Sequence, residues 1–352
     1  MNEMLGSELV ELFKKGLEWS KVKEGETVLI YTDPDLTYPE YVPAVYAAAR
    51  LLGAEAYVLT GPHRAVTGRD KFILDAWKGA DMVVNLVQPA LHLYTHEHNE
   101  VLRSGTRVLA IWQRPSTLRS LFPNQKVIDR CYAGAKRLQA AKEVRVTSQA
   151  GTDLVMRKDG RKGAVQIGVA DAPGIWDQLG SALVSTAPLE NATEGTYVIA
   201  PGDILCQMHW HVRSPITLTF RNGIATDVQG GADAMFLRDY VDPQGSNIRV
   251  GASSRSSEAP VDPNVYRVAH VTWGAHEGAD WLNPWKQDAE SFYGEVLIAL
   301  GNNIFDMPHP YRGMGGANDC KGHLDICCRN ASVYLDGELI LENGTFIPDE
   351  LK

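Results

Sequence analysis

The sequence predicts an α/β protein: an amino-terminal domain on a parallel, helix-flanked sheet, followed by a strand-rich α+β domain. Three observations carry this. Up to about residue 142, short apolar runs alternate with helical periodicities, the pattern of a parallel sheet covered by crossover helices. Beyond that point, apolar residues recur at every second position between turn signals, as in antiparallel strands. The 352 residues exceed what a single core usually supports, which fits two domains, 1–142 and 143–352.

In the first domain, Leu5, Leu9, Val10, Leu12, Phe13 and Leu17 recur at helical spacing around residues 3–16. Thr27–Tyr31 reads as the first strand, and Pro39–Leu52 as an Ala-rich amphipathic helix closed by Gly53. Ala54–Leu59 and Asp81–Leu86 are the second and third strands, with a helix at Asp70–Lys78 between them. Thr95–Ser104 is helical, Arg107–Trp112 is the fourth strand, and Val127–Lys142 is a long closing helix. The second domain opens on the hairpin Glu143–Val146 and Thr152–Arg157. Strands follow at Gly195–Ile199, Ile204–Val212, Ile216–Arg221 and Ile224–Gln229, the last two joined by the hairpin signal Asn222-Gly223. Ala232–Tyr240 and Asp288–Tyr293 read as helices. Arg267–Trp273, Val296–Leu300 and His323–Cys327 read as strands, before a last hairpin at Ser332–Leu335 and Glu338–Leu341.

Composition narrows the function classes. With 44% hydrophobic and 22% charged residues the chain is ordinary globular protein. Its net charge of -9 and lack of a concentrated basic face argue against nucleic acid or an anionic membrane as partner. The densest basic run, Arg157-Lys158 with Arg161-Lys162, reads as a hairpin tip. The longest uninterrupted apolar segments, such as Val296–Leu300, fall short of the roughly 18 residues a membrane helix needs. The amino terminus carries acidic residues inside its apolar stretch and has no signal-peptide cleavage site. The five cysteines, Cys131, Cys206, Cys320, Cys327 and Cys328, form no zinc-ribbon or C-x-x-C spacing. These features predict a cytoplasmic protein with reduced thiols. Trp273, Trp281 and Trp285 read as exposed, and suggest subunit contacts in a homo-oligomer or contacts between domains.

Histidines carry the chemistry. In Cys320-Lys-Gly-His323-Leu-Asp325-Ile-Cys327, strand alternation puts His323 and Asp325 on one face. Such a pair serves a cation or simply hydrogen-bonds to itself. His270 ends an alternating apolar stretch, as a ligand or as a core histidine. His276-Glu277 lies among glycines on a loop. His209 and His211, beside Arg213, share a strand face and read as a metal pair, a substrate clamp or an exposed edge. His92, His96 and His98 read as solvated or interdomain residues. No phosphate-binding glycine motif follows the first strand, and no G-x-S-x-G or cysteine-nucleophile motif occurs, which leaves metal chemistry.

Residues 143–345 resemble the metal-binding half of the thermophilic-type aminopeptidases. The shared marks are Gly195–Ile199, Pro215–Gly231, Gly294–Gly301 and Gly322-His323-Leu-Asp325. The string CKGHLDICCRN and the 53-residue step from His270 to His323 most resemble the 2,5-dihydroxypyridine 5,6-dioxygenase family of bacterial nicotinate breakdown. The resemblance spans nearly the whole chain and is specific over its last hundred residues. Where the peptidases carry metal-binding Glu and His, this chain has His270 and Leu297, and a further metal-binding Glu falls near Leu183. The resemblance thus implies a ligand set of His270, His323 and Asp325. Two imidazoles and one carboxylate leave three adjacent positions open, the facial arrangement of non-haem Fe(II) oxygenases. On Fe(II) they leave a +1 charge, suited to an anionic phenolate. The implied reaction opens a small aromatic N-heterocycle, 2,5-dihydroxypyridine, between C5 and C6 with O2, giving N-formylmaleamate. A base must take the substrate hydroxyl proton, and His209 or His211 is the candidate. Two other readings stand beside this one: a hydrolase of the same superfamily with one Mn(II) or Zn(II), and a metal-free binding protein on the same fold.

Overall fold

The computed structural model describes residues 6–88, 90, 94–245 and 261–352. The first residues of the expected amino-terminal helix, and His92, lie outside them. The chain forms two compact units. One comprises residues 1–128, 166–182 and 305–313, and the other 129–165, 183–304 and 314–352. The sequence reading has one boundary, between 142 and 143. The difference arises because the chain returns to the first unit to add a strand, Trp176–Gln178, to the edge of its sheet.

The first unit is a parallel sheet in the order Glu55–Thr60, Thr27–Thr32, Met82–Asn85, Arg107–Ala110, Trp176–Gln178. The strands Met82–Asn85 and Arg107–Ala110 are buried along their whole length, which explains why their apolar residues are consecutive rather than alternating. Helix Gly6–Trp19 buries Leu9, Leu12, Phe13 and Leu17, and Phe13 meets Tyr41 edge-on. Helix Lys71–Lys78 brings Trp77 edge-on against Tyr31. The short helix Pro115–Ser120 was not legible in the sequence, since Leu118 is its single apolar residue and sets no period. His98, read as solvated or interdomain, is fully buried within the first unit and stacks on Phe305. The helix His96–Arg103 turns it inward together with Val101 and Leu102.

The second unit contains two sheets. One is antiparallel with eight strands: Ile224–Gly230, Ile216–Arg221, Thr193–Ile199, Asp153–Arg157, Glu143–Ser148, Ala331–Leu335, Glu338–Glu342 and Thr345–Phe346. The other runs Trp210–His211, Ile204–Leu205, His323–Cys328, Val296–Gly301, Val268–Gly274, Leu183–Thr186, Ala164–Gln166. Its central strands Val268–Gly274 and Val296–Gly301 are buried throughout. Two of the three tryptophans expected at the surface belong to this interior. Trp273 packs where Gly134 has no side chain, and Trp281 packs on Phe292, its Nε1 donating to the Gly202 carbonyl. Trp285 alone is exposed, at 50%.

The basic run at 157–162 is not a hairpin tip, because the strand that ends at Arg157 pairs with Glu143–Ser148 and Thr193–Ile199. Lys158 is fully buried, and its Nζ donates to the carbonyls of Leu138, Ala141 and Arg161, so it caps the last turn of helix Gln125–Ala140. Burial pushes its ammonium down to about 8. Between that value and the ordinary one of 10.5, the unfolded chain binds more protons than the folded one. The contribution of Lys158 to stability therefore rises with pH across this window. Urea unfolding of wild type and Lys158→Met should show a stability difference that shifts in favour of wild type from pH 8 to 10. A difference that stays flat or moves the other way refutes the assignment.

Candidate metal centre

The register of three neighbouring strands builds the site. Ala299 in the middle strand pairs with His270 on one side and with Asp325 on the other. Paired residues in an antiparallel sheet share a face, so these two side chains flank a methyl group. His323, two residues before Asp325, lies on the same face opposite Gly301, which has no side chain at all. Small residues in the middle strand thus leave room for groups from both outer strands to converge. A register shift between Val268 and His270 adjusts the first of them.

The geometry is that of a ligand set. Asp325 Oδ1 lies 3.1 Å from His323 Nε2 and 3.4 Å from His270 Nε2. The two imidazole rings face each other with centroids 5.3 Å apart. One donor atom from each of the three residues falls within 4.8 Å of the others, and this is the one such group among the described residues. Adjacent corners of an octahedron with bonds of about 2.1 Å lie about 3.0 Å apart, close to the distances found.

Hydrogen bonding behind the rings decides which nitrogen faces inward. His323 Nδ1 lies 2.8 Å from the main-chain oxygen of Asn302, which can only accept, so Nδ1 carries the hydrogen. In the neutral ring, Nε2 then presents a lone pair to a carboxylate oxygen. Two lone pairs at 3.1 Å repel unless a positive charge lies between them, a metal ion or a second ring proton. His270 Nδ1 is held at 2.9 Å by the Thr272 hydroxyl, which also directs Nε2 inward. The carboxyl of Asp325 is gripped from outside by Gln207, whose Nε2 donates to Oδ2 at 2.6 Å.

Other acids and thiols nearby do not compete for a cation. Glu295 is fully buried, and burial first, then neighbouring Glu290, raises its carboxyl well above the ordinary carboxylate range. Cys206 and Cys327 meet at 3.3 Å between sulfurs in the adjoining core, where burial pushes the Cys206 thiol up to about 11 and that of Cys327 well above its ordinary value. Near neutral pH these are packed thiols rather than thiolate ligands. All five cysteines are free. Leu183 and Leu297 are buried leucines and offer no donor atom.

The remaining histidines fall elsewhere. His209 and His211 do not share a strand face, because the expected strand 204–212 is interrupted. It consists of Ile204–Leu205, a 3-10 turn at Cys206–Met208, His209 in the left-handed region at φ 50°, and Trp210–His211. The left-handed residue reverses the alternation on which the shared face depended. His209 is exposed against Trp285, with ring centroids 4.4 Å apart, and His211 Nε2 lies 2.9 Å from the Trp281 carbonyl oxygen. Neither belongs to the three-residue group. His276 is buried and accepts from the Gly278 N–H, while Glu277 pairs with Arg130. Sequence reasoning missed Gln207, Thr272 and Asn302. Thr272 was accessible to it, two positions from His270 on the same strand face. Asn302 acts through a main-chain oxygen that any residue could supply, so it leaves no trace in the sequence.

The family model described as 2,5-dihydroxypyridine 5,6-dioxygenase (NicX) matches residues 8–348. A 2,5-dihydroxypyridine 5,6-dioxygenase of Pseudomonas putida KT2440 is 28% identical, over 98% of this chain and 97% of its own length. The solved structure of 2,5-dihydroxypyridine dioxygenase from that organism superposes with a TM-score of 0.86 at 27% identity, covering 99% of this chain and all of the other. AmpT from Thermus thermophilus superposes with a TM-score of 0.62 at 14% identity, over 97% of this chain and 99% of the other, a likeness of fold.

Proposed function

The chain belongs to the 2,5-dihydroxypyridine 5,6-dioxygenase family, and from that premise we propose that it is an Fe(II)-dependent dioxygenase that opens the ring of 2,5-dihydroxypyridine between C5 and C6, giving N-formylmaleamate. The observation that carries this is the convergence of His323 Nε2 and His270 Nε2 on Asp325 Oδ1, at 3.1 and 3.4 Å, with all three atoms within 4.8 Å of one another. That arrangement suits a dication better than it suits an empty polar cluster. Bound Fe(II) supplies redox chemistry and vacant positions at which an organic anion and O2 can be held side by side.

The chain's own residues prepare this centre. Asn302 and Thr272 fix the ring orientations of His323 and His270, so that little reorganisation is needed when an ion enters. Buried strands on both sides exclude water from the back of the site. His209 or His211 remains the proposed proton acceptor for the substrate hydroxyl. Each has one ring nitrogen facing a main-chain carbonyl oxygen, to which it can donate, so that the other nitrogen is the one placed to accept. The cytoplasmic location and homo-oligomeric state expected from the sequence stand as proposals, and no helix among the described residues is long and apolar enough to cross a membrane.

Anaerobic loading with Fe(II), followed by addition of 2,5-dihydroxypyridine and air-saturated buffer, tests the reaction. One O2 should be consumed per ring opened, and protein loaded with Zn(II) should be inert. Ring opening in the absence of O2, or full activity with zinc, favours the hydrolase reading instead.

A further inference from the structure

Gln207 stands in the 3-10 turn Cys206–Met208 and meets Asp325 twice. Its Nε2 donates to Oδ2 at 2.6 Å, and its Oε1 accepts from the Asp325 main-chain N–H at 2.8 Å. The two contacts fix which end of the amide is which, because an ionised carboxylate only accepts and a main-chain N–H only donates. The two carboxylate oxygens are thereby given different tasks. Oδ1 faces both imidazole nitrogens, at 3.1 and 3.4 Å, while Oδ2 is drawn toward the turn. A carboxylate without such a restraint can pivot and hold a cation through both oxygens, as carboxylates commonly do on hard ions. With two imidazoles also bound, that pivot fills a fourth octahedral position and leaves two vacant instead of three.

We infer that Gln207 is a positioning residue that holds Asp325 to single-oxygen coordination and so keeps the third position open for the diatomic reactant. The inference rests on the iron reading proposed above. It assigns Gln207 a role distinct from that of the ligands: its loss leaves the metal bound, and tightens rather than loosens the carboxylate's hold. A residue that merely braced the site would lose iron when removed.

Nitric oxide, a stand-in for O2 with a characteristic paramagnetic resonance signal on ferrous centres, distinguishes these outcomes without relying on turnover. Wild type and Gln207→Met, which keeps the side chain's length and removes its hydrogen bonds, are loaded anaerobically with Fe(II). Iron content and nitric oxide affinity are then measured with 2,5-dihydroxypyridine present. Gln207→Met should retain iron within about twofold of wild type, while its nitric oxide affinity falls at least about tenfold. Turnover should fall within the roughly 10- to 100-fold range typical of lost partners behind a ligand. Gln207→Ala serves the same comparison if the methionine variant fails to fold. Unchanged nitric oxide affinity overturns the inference, and so does a loss of iron in step with the loss of signal. Failure of wild type itself to bind iron defeats the iron reading and this inference with it, a result recognisable before any Gln207 variant is examined.

Discussion

Asp325→Ala is expected to lose iron and ring-opening activity together, while its apo form unfolds at nearly the wild-type denaturant concentration. Asp325 supplies the only negative charge in the group of three, and its Oδ1 is the atom that both imidazoles approach. Without it, two neutral nitrogens remain to hold a dication in water, and the ion prefers its hydration shell. Loss of a partner behind a ligand costs up to about 100-fold, so loss of the ligand itself should exceed that in both metal affinity and turnover. His270→Ala and His323→Ala should behave alike, each leaving one imidazole with the carboxylate. Folding should tolerate these changes because the strands that carry them are held by neighbours on both sides. Measured iron per chain after anaerobic dialysis decides the matter. Any of the three variants that keeps one iron per chain with wild-type turnover is not missing a ligand, and the assignment of that residue then fails.

Parts of the site that depend on strand periodicity were readable from the sequence, and parts that depend on loops were not. His323 and Asp325 lie on one face because alternation within a buried strand leaves no other choice. His270 joined them through a family resemblance, since nothing in its own surroundings says which strand lies beside it. The pairing of both strands with Ala299 is a long-range fact that no local pattern encodes. Gln207 was hidden for another reason. The segment 204–212 has strand-like composition, yet it turns at Cys206–Met208, where His209 adopts a left-handed conformation that non-glycine residues seldom take. The same irregularity separated His209 from His211. In the first unit the longer strands and helices followed their apolar periods, but Trp176–Gln178 is three residues long and carries a buried aspartate. A segment that short and that polar has no period to detect, and it is the one that interleaves the two units in the chain.

That aspartate should dominate the stability of the first unit. Asp177 is buried, and its Oδ2 accepts from the Ile167 N–H while Oδ1 accepts from those of Gly168 and Gln178. Opposite it lies Arg312, also without solvent access, which donates to the same carboxylate and to the Val169 carbonyl. The pair ties the segment 305–313 to the edge strand, and both belong to the same unit. Coulomb attraction at this depth is strong, but desolvation of both ions offsets much of it, so the pair as a whole adds little net stability. Breaking it is another matter. Arg312→Met leaves a carboxylate in the interior without its counterion, and such losses cost about 3–5 kcal/mol. Asp177→Leu takes the nearer carboxylate from the buried guanidinium, which keeps its 3.4 Å contact with Asp171, and leaves three main-chain N–H groups without their acceptor, so its cost should be comparable. The double variant buries no lone charge and should be less destabilised than the two single losses added together. Equilibrium unfolding in urea of all four proteins measures this coupling. A cost below about 1 kcal/mol for Arg312→Met, or strict additivity in the double variant, means that the two groups are solvated or independent, and the edge strand must then be held by its apolar neighbours alone.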